Sequence, residues 1–244
     1  MIQKSENKLK EPVGENEIKT QVILDGASNR AVLKRIKLGA NAVWYPELVQ
    51  RPQMTQIFLF TGGTGYVSAG GTAYNITEPA RFIPDFDKEK ITIKAGQEGL
   101  ECIEIKAAQN KEDAFQINKS HLVFPNFRPL SKAWECNMAN IGNETNVCGF
   151  ILIENRKYGA NNMGFFISEK PGPCKTREDS QIAYDQYVIA MEGADFSLTM
   201  DDETVDMREG DIALIPRTHK FTFSCGQEGK IHHVWYSLNR AYDE

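Results

Sequence analysis

ITIKAGQEGL, residues 91–100, and FTFSCGQEGK, residues 221–230, are two copies of one pattern. Gly96 and Gly226 lie 130 residues apart, and the same spacing carries Gln56 of QIFLFTGG onto Gln186 of QYVIAMEG and Gly63 onto Gly193. Further upstream, VLKRIKLG (Val32–Gly39) matches FFISEKPG (Phe165–Gly172) at a spacing of 133, so a loop between Gly39 and Gln56 differs in length. Landmarks repeated in one order mark a duplicated unit. One half of the chain resembles the other.

Both halves read as short strands. Ile91 and Ile93 flank Thr92, Phe221 and Phe223 flank Thr222, and Phe196, Leu198 and Met200 alternate, the period of two that buries one face. IFLF (57–60) and YVIAM (187–191) are apolar on both faces, as strands between two layers are. Gly62-Gly63, Gly70-Gly71, Asp201-Asp202 and Glu209-Gly210 read as turns between them. Helix is expected only near Asn110–Asn118. Many short strands at near-regular spacing give an all-β sandwich or barrel.

Composition excludes several function classes. With 244 residues, 41% of them hydrophobic, the chain can build one large domain or two average ones. Its net charge of −5, with both signs interspersed, leaves no basic footprint for nucleic acid. No run of about eighteen apolar residues offers a membrane span. The polar stretch 1–17 has no apolar core like a secretory signal, so the expected location is cytoplasmic. The five cysteines are odd in number and widely spread, without a C-x-x-C pair, which argues against a disulfide framework or a zinc ribbon.

EKPG (169–172), DQYVIAMEGADFSL (185–198) and VDMREGDIALIPRTHKFTF (205–223) together resemble the two motifs of the cupin superfamily. Gly172, Gly193, Gly210, Asp211, Pro216 and His219 match in type and order, and the first half keeps Gly39 and Gly63. The resemblance spans Thr20 to Leu238. It implies two cupin-type jelly-roll β-barrels in tandem: a polar arm at 1–17, a first barrel at 18–106, a linker at 107–120 and a second barrel at 121–240. It also implies a homo-oligomer, most simply a dimer, joined through exposed edge strands and an N-terminal arm that reaches a neighbouring subunit.

Cupin enzymes hold one divalent metal with two histidines and a glutamate from the first motif and one histidine from the second. Here Gln56 and Gln186 stand at the glutamate position. The paired-histidine positions fall on Gln50 and Pro52 and on Ser180 and Ile182, and residues 1–120 contain no histidine. A neutral amide is a weak ligand for zinc, iron or nickel. The expectation is therefore no transition metal in the first barrel and at most one divalent ion in the second.

His219, at the second-motif position, is read either as metal ligand or general base, or as a histidine hydrogen-bonded inside the barrel. Strand alternation turns one of His232 and His233 inward, where it can join His219 and Gln186 as a metal ligand. Gln186, Gln56 and Tyr184 are candidates for hydrogen bonds to a polar ligand. Asp85, Asp87 and Glu89 suit either a hard cation or a solvated acidic edge. Two readings follow. One is a small-molecule-binding bicupin with an eroded metal site and its pocket in the second barrel. The other is a metal-dependent cupin isomerase, dioxygenase or aminohydrolase acting in the same barrel. A competing pocket in the first barrel is built from Trp44, Tyr45, Gln56 and Phe58.

Overall fold

The structure, a computed structural model, describes residues 2–50, 53–85, 90–136, 146–180 and 183–239, with the side chains at 155 and 156 also set aside. Asp87, Glu89, Pro52 and Ile182 lie outside the described residues. In chain order the strands are β1 (Gln3–Ser5), β2 (Ile18–Ile23), β3 (Ala31–Leu38), β4 (Val43–Trp44), β5 (Met54–Ala69), β6 (Thr72–Ile76), β7 (Ala80–Ile83) and β8 (Thr92–Ala108). Helix α1 (Lys111–Lys119) and β9 (Asn126–Pro129) come next. Then follow β10 (Trp134–Glu135), β11 (Val147–Tyr158), β12 (Asn161–Ser168), β13 (Cys174–Lys175), β14 (Asp179–Ser180) and β15 (Tyr184–Ala190). The last described strands are β16 (Asp195–Met200), β17 (Glu203–Arg208), β18 (Ile212–Ile215), β19 (Lys220–Cys225) and β20 (His232–Asn239). The protein is all-β in class. Among the described residues, no helix is long and apolar enough to cross a membrane.

The chain divides into two compact units, Lys8–Lys132 and a second made of Met1–Asn7 with Ala133–Glu244. In the first, the sheet runs β2-β3-β8-β5-β7-β9, with β4 on β8 and β6 on β5. Its core is Ile36, Leu38, Phe58, Phe60, Val67, Phe82, Ile91, Ile93 and Cys102, the apolar positions of alternating strands. Gly62-Gly63 is not a turn. β5 continues through it with register shifts on either side, and Gly63 has φ of 78°. A bulge and a turn both recruit glycine for its positive φ, so sequence cannot separate them. Helix α1 begins where Asn110 accepts from the Asp113 amide at 2.9 Å while Asp113 accepts from the Asn110 amide at 3.0 Å.

In the second unit a seven-stranded sheet runs β1-β18-β15-β20-β12-β11-β10, and a second sheet runs β13-β19-β16-β17 with β14 also on β19. Phe166, Val188, Phe196, Leu198, Met207, Phe221, Phe223 and Trp235 belong to one core cluster. The order β12-β20-β15-β18 repeats β3-β8-β5-β7, the duplication read from the sequence.

One segment pairs differently from the sequence expectation. The sequence boundary at 121 puts residues 126–129 with the second barrel, but they form β9 and pair with β7, Ile83 opposite Asn126. Within the polar arm at 1–17, residues 3–5 form β1 on β18 of the same chain, Lys4 opposite Ala213, with an ion pair from Lys4 to Asp211 at 2.8 Å and buried Ile2 in the core.

Candidate functional site

Strand alternation places Gln56, Phe58 and Phe60 of β5 on one face, opposite Lys106, Glu104 and Cys102 of β8. Phe58, Phe60 and Cys102 fill the core, and Gln56, Glu104 and Lys106 gather at one end of it. The Gln56 amide nitrogen donates to Glu104 Oε1 at 2.6 Å and to the Glu47 carbonyl at 3.1 Å, and its oxygen accepts from the Val49 amide at 3.2 Å. Lys106 donates to the same Glu47 carbonyl at 3.2 Å and lies 3.5 Å from Glu104. Glu104 is only 4% exposed, so this charge relies on those partners.

The cluster fastens the segment after β4. That segment, with Lys90 and Ile91 just before β8, surrounds a cleft of about 560 Å³ lined by Tyr45, Pro46, Glu47, Leu48, Gln50, Lys90 and Ile91. Tyr45 is 73% exposed, an aromatic ring presented to solvent. Beneath it Trp44 meets Phe58 edge-on, with ring centroids 5.7 Å apart. Of the four residues of the competing first-barrel pocket, Tyr45 lines the cleft and Trp44 packs below. Gln56 and Phe58 are fully buried. Gln56 therefore spends its amide on the protein.

The second unit does not bring Gln186 together with the histidines. His219 lies on the turn before β19, where its Nδ1 is 2.6 Å from Asp201 Oδ2, with both side chains well exposed. The hydrogen bond from His219 holds the Asp201 carboxyl below its usual range. His232 directs Nδ1 to the Glu192 carbonyl at 2.8 Å, and burial lowers its pKa. His233 is the inward member of the pair, opposite Ala190, whereas Gln186 is opposite Ser237. Four residues of strand separate the two positions, about 13 Å. The Ser237 hydroxyl donates to the Gln186 carbonyl oxygen at 3.1 Å, and half-buried Tyr184 begins the same strand.

His233 is fully buried among Phe166, Phe196 and Phe223, at ring-centroid distances of 5.2, 5.3 and 4.4 Å. Neither ring nitrogen has a hydrogen-bond partner. Burial lowers its pKa to about 3, so the ring is neutral at neutral pH. Among the described residues, no three His, Cys, Asp or Glu side chains are grouped to hold a metal ion.

Sequence reasoning missed Glu104 and Lys106. The signal was present, because both share the face of Gln56 in the alternation of ECIEIK (101–106).

No protein-family model matches the chain, and no curated protein does. Solved structures do. A putative glyoxylate-induced protein from Pseudomonas aeruginosa is 13% identical, with a TM-score of 0.72, covering 93% of this chain and 82% of its own. A cupin 2 conserved barrel domain protein from Leptotrichia buccalis is 12% identical, with a TM-score of 0.61 over 97% of this chain and 96% of its own. A mutant of Bacillus subtilis oxalate decarboxylase is 10% identical, with a TM-score of 0.66 over 98% and 78%. At these identities the likeness is one of architecture, and it agrees with the strand order above: the chain has an all-β, cupin-type fold.

Proposed function

We propose that this chain is a bicupin, two barrels in tandem, that binds a small molecule in the cleft of the first unit. The observation that carries the reading is the cleft between the Tyr45–Gln50 segment and Lys90–Ile91, its Tyr45–Gln50 side held by Gln56, Glu104 and Lys106. Its volume falls within the roughly 300–1,000 Å³ of ordinary ligand sites. Pro46, Leu48 and Ile91 supply the apolar lining, Tyr45 a ring face, and Lys90 and Glu47 opposite charges. The fitting ligand is a small, mainly apolar molecule whose one carboxylate or similar anion pairs with Lys90.

The first pocket read from sequence, in the second barrel, has less support, and so does a metal-dependent enzyme there. His219, His232 and His233 have three separate sets of neighbours, and the inner face is occupied by aromatic and aliphatic side chains. The fold itself is neutral between binding protein and enzyme. Dimerisation belongs to the same proposal. Residues 3–5 already occupy one edge of the seven-stranded sheet, so pairing would use another edge, such as β10 with its exposed Trp134.

Titrating the protein with benzoate, followed by NMR chemical shifts, tests the site. Shifts are expected at Tyr45–Gln50 and at Lys90–Ile91. Tyr45→Ala and Lys90→Ala should each weaken binding about tenfold, near 1.4 kcal/mol. Shifts centred on Gln186, His219 or His232, with no loss in the Tyr45 variant, would move the pocket to the second unit.

A further inference from the structure

Cys174 on β13 and Cys225 on β19 stand directly opposite each other in an antiparallel pair. Directly opposed Cα atoms lie about 4.5–5.5 Å apart, inside the 4.4–6.8 Å range that a disulfide requires. Their sulfurs are 3.0 Å apart, although 51 residues separate them in sequence. Both side chains are half-buried, and both pack against the core of the second unit. The pairing is held on one side by Thr176, whose amide donates to the Phe223 carbonyl at 2.9 Å and whose hydroxyl accepts from the Phe223 amide at 2.9 Å. On the other side the Gly172 amide donates to the Gly229 carbonyl at 3.1 Å, while Cys225 Sγ donates to the Gly172 carbonyl at 3.1 Å. Closing the remaining distance needs rotation of two side chains and no new strand pairing.

We propose that Cys174 and Cys225 form a reversible modification site that closes to a cross-strand disulfide by exchange with a low-molecular-weight disulfide. The Cys225 thiolate attacks one sulfur of the small disulfide, whose S–S bond breaks and releases one thiol. Cys174 then gives up its proton to solvent and attacks the Cys225 sulfur, and the mixed S–S bond breaks to release the second thiol. Two protein thiols are oxidised and one small disulfide is reduced to two thiols. Burial and the neighbouring Cys225 sulfur push the Cys174 thiol up to about 12, which assigns it the second step. The bond ties β13 to β19 on the sheet that β14, β16 and β17 complete. The other cysteines lie in different settings: Cys102 is sealed in the first core, and Cys148 faces the Glu169 carboxylate at 3.7 Å.

The test treats the folded chain with oxidised glutathione, records the intact mass, and then blocks the remaining thiols and maps peptides by mass spectrometry. The expected result is a loss of about 2 Da, the two thiol hydrogens, with one linked peptide pair joining Cys174 to Cys225. Dithiothreitol should restore the original mass. A variant with Cys102, Cys136 and Cys148 all changed to serine should give the same linked pair. Cys174→Ser and Cys225→Ser should each abolish it. An unchanged mass, a lasting glutathione adduct on either cysteine, or a bond to another cysteine would overturn the proposal.

Discussion

Across β5 and β8 of the first unit, the core face reads Phe60–Cys102, Phe58–Glu104 and Gln56–Lys106. Across β15 and β20 of the second, the same three rows read Ala190–His233, Val188–Trp235 and Gln186–Ser237. The flanking strand continues the match, with Ile36 beside Cys102 and Phe166 beside His233. Duplication preserved the backbone rows and exchanged what fills them. The first unit uses two rows for a charged cluster that holds a surface segment and its cleft. The second uses the equivalent row for Trp235, whose ring lies where a Cβ on Gly164 would stand, 2.3 Å away. In its innermost row an imidazole replaces a thiol. The difference teaches that equivalent rows of one scaffold can anchor a surface segment or fill a packed interior according to three side chains per strand pair.

His233 gives the largest expected effect. Its folded pKa is about 3 against roughly 6.5 when unfolded, so between those values the unfolded state binds more protons. Stability from this group is complete above pH 6.5 and is lost as pH falls toward 3, by about 1.4 kcal/mol per pH unit. Near pH 3.5 the loss reaches about 4 kcal/mol. His233→Leu should abolish that slope and stabilise the second unit by about 1–3 kcal/mol at pH 7, because two unpaired buried nitrogens disappear. Urea unfolding of both proteins between pH 3.5 and 7.5 measures it. Parallel pH curves would mean that the imidazole has partners in solution and that the second interior is not a sealed one.

The repeat was legible because its carriers are local: a period of two, and glycines where the chain needs positive φ, as at Gly193 and Gly210. The cupin-type fold was implied by the resemblance of EKPG (169–172), DQYVIAMEGADFSL (185–198) and VDMREGDIALIPRTHKFTF (205–223) to that family's motifs. Edge pairing was not legible. β1 has three residues and no pattern of its own, and its partner β18 lies more than two hundred residues away. Gln56 was found through the repeat, while Glu104 and Lys106 stayed hidden as ordinary strand residues until the β5–β8 register put them beside it. Cys174 and Cys225 had no C-x-x-C spacing to announce them, since their nearness comes from register alone. His219 was singled out because it resembles the second-motif histidine in type and order, and its turn places it against Asp201 with the side chain well exposed.

Glu104 tests the other side of the comparison, with a smaller effect. Glu104→Ala would leave Lys106 and the Gln56 amide without their shared carboxylate, at a cost of about 2 kcal/mol. Glu104→Gln, which keeps the shape, should cost about half as much. The local signature is the Val49 amide, bonded to Gln56 Oε1, whose hydrogen exchange should quicken as the Tyr45–Gln50 segment loosens. Ser237→Ala, at the row of the second unit that matches Gln56–Lys106, should cost about 1 kcal/mol and leave Val49 unchanged. Equal costs for the Glu104 and Ser237 variants, with Val49 protected in both, would erase the proposed division of labour.

The smallest effect is expected at His219, although the sequence ranks it first. Its bond to Asp201 is short, but both groups are well exposed, and exposed pairs lose most of their attraction to water and salt. His219→Ala should shift the thermal midpoint by less than about 2 °C. The informative readout is the Asp201 carboxyl. The hydrogen bond from His219 holds its pKa down, so the favourable contribution is present above the ordinary carboxylate range and disappears as pH falls through the depressed value. Without His219 the carboxyl should titrate at higher pH, visible in its side-chain NMR signal, while the benzoate shifts at Tyr45–Gln50 stay unchanged. Lost benzoate binding in this variant, with binding intact in Tyr45→Ala, would reverse the roles assigned to the two units.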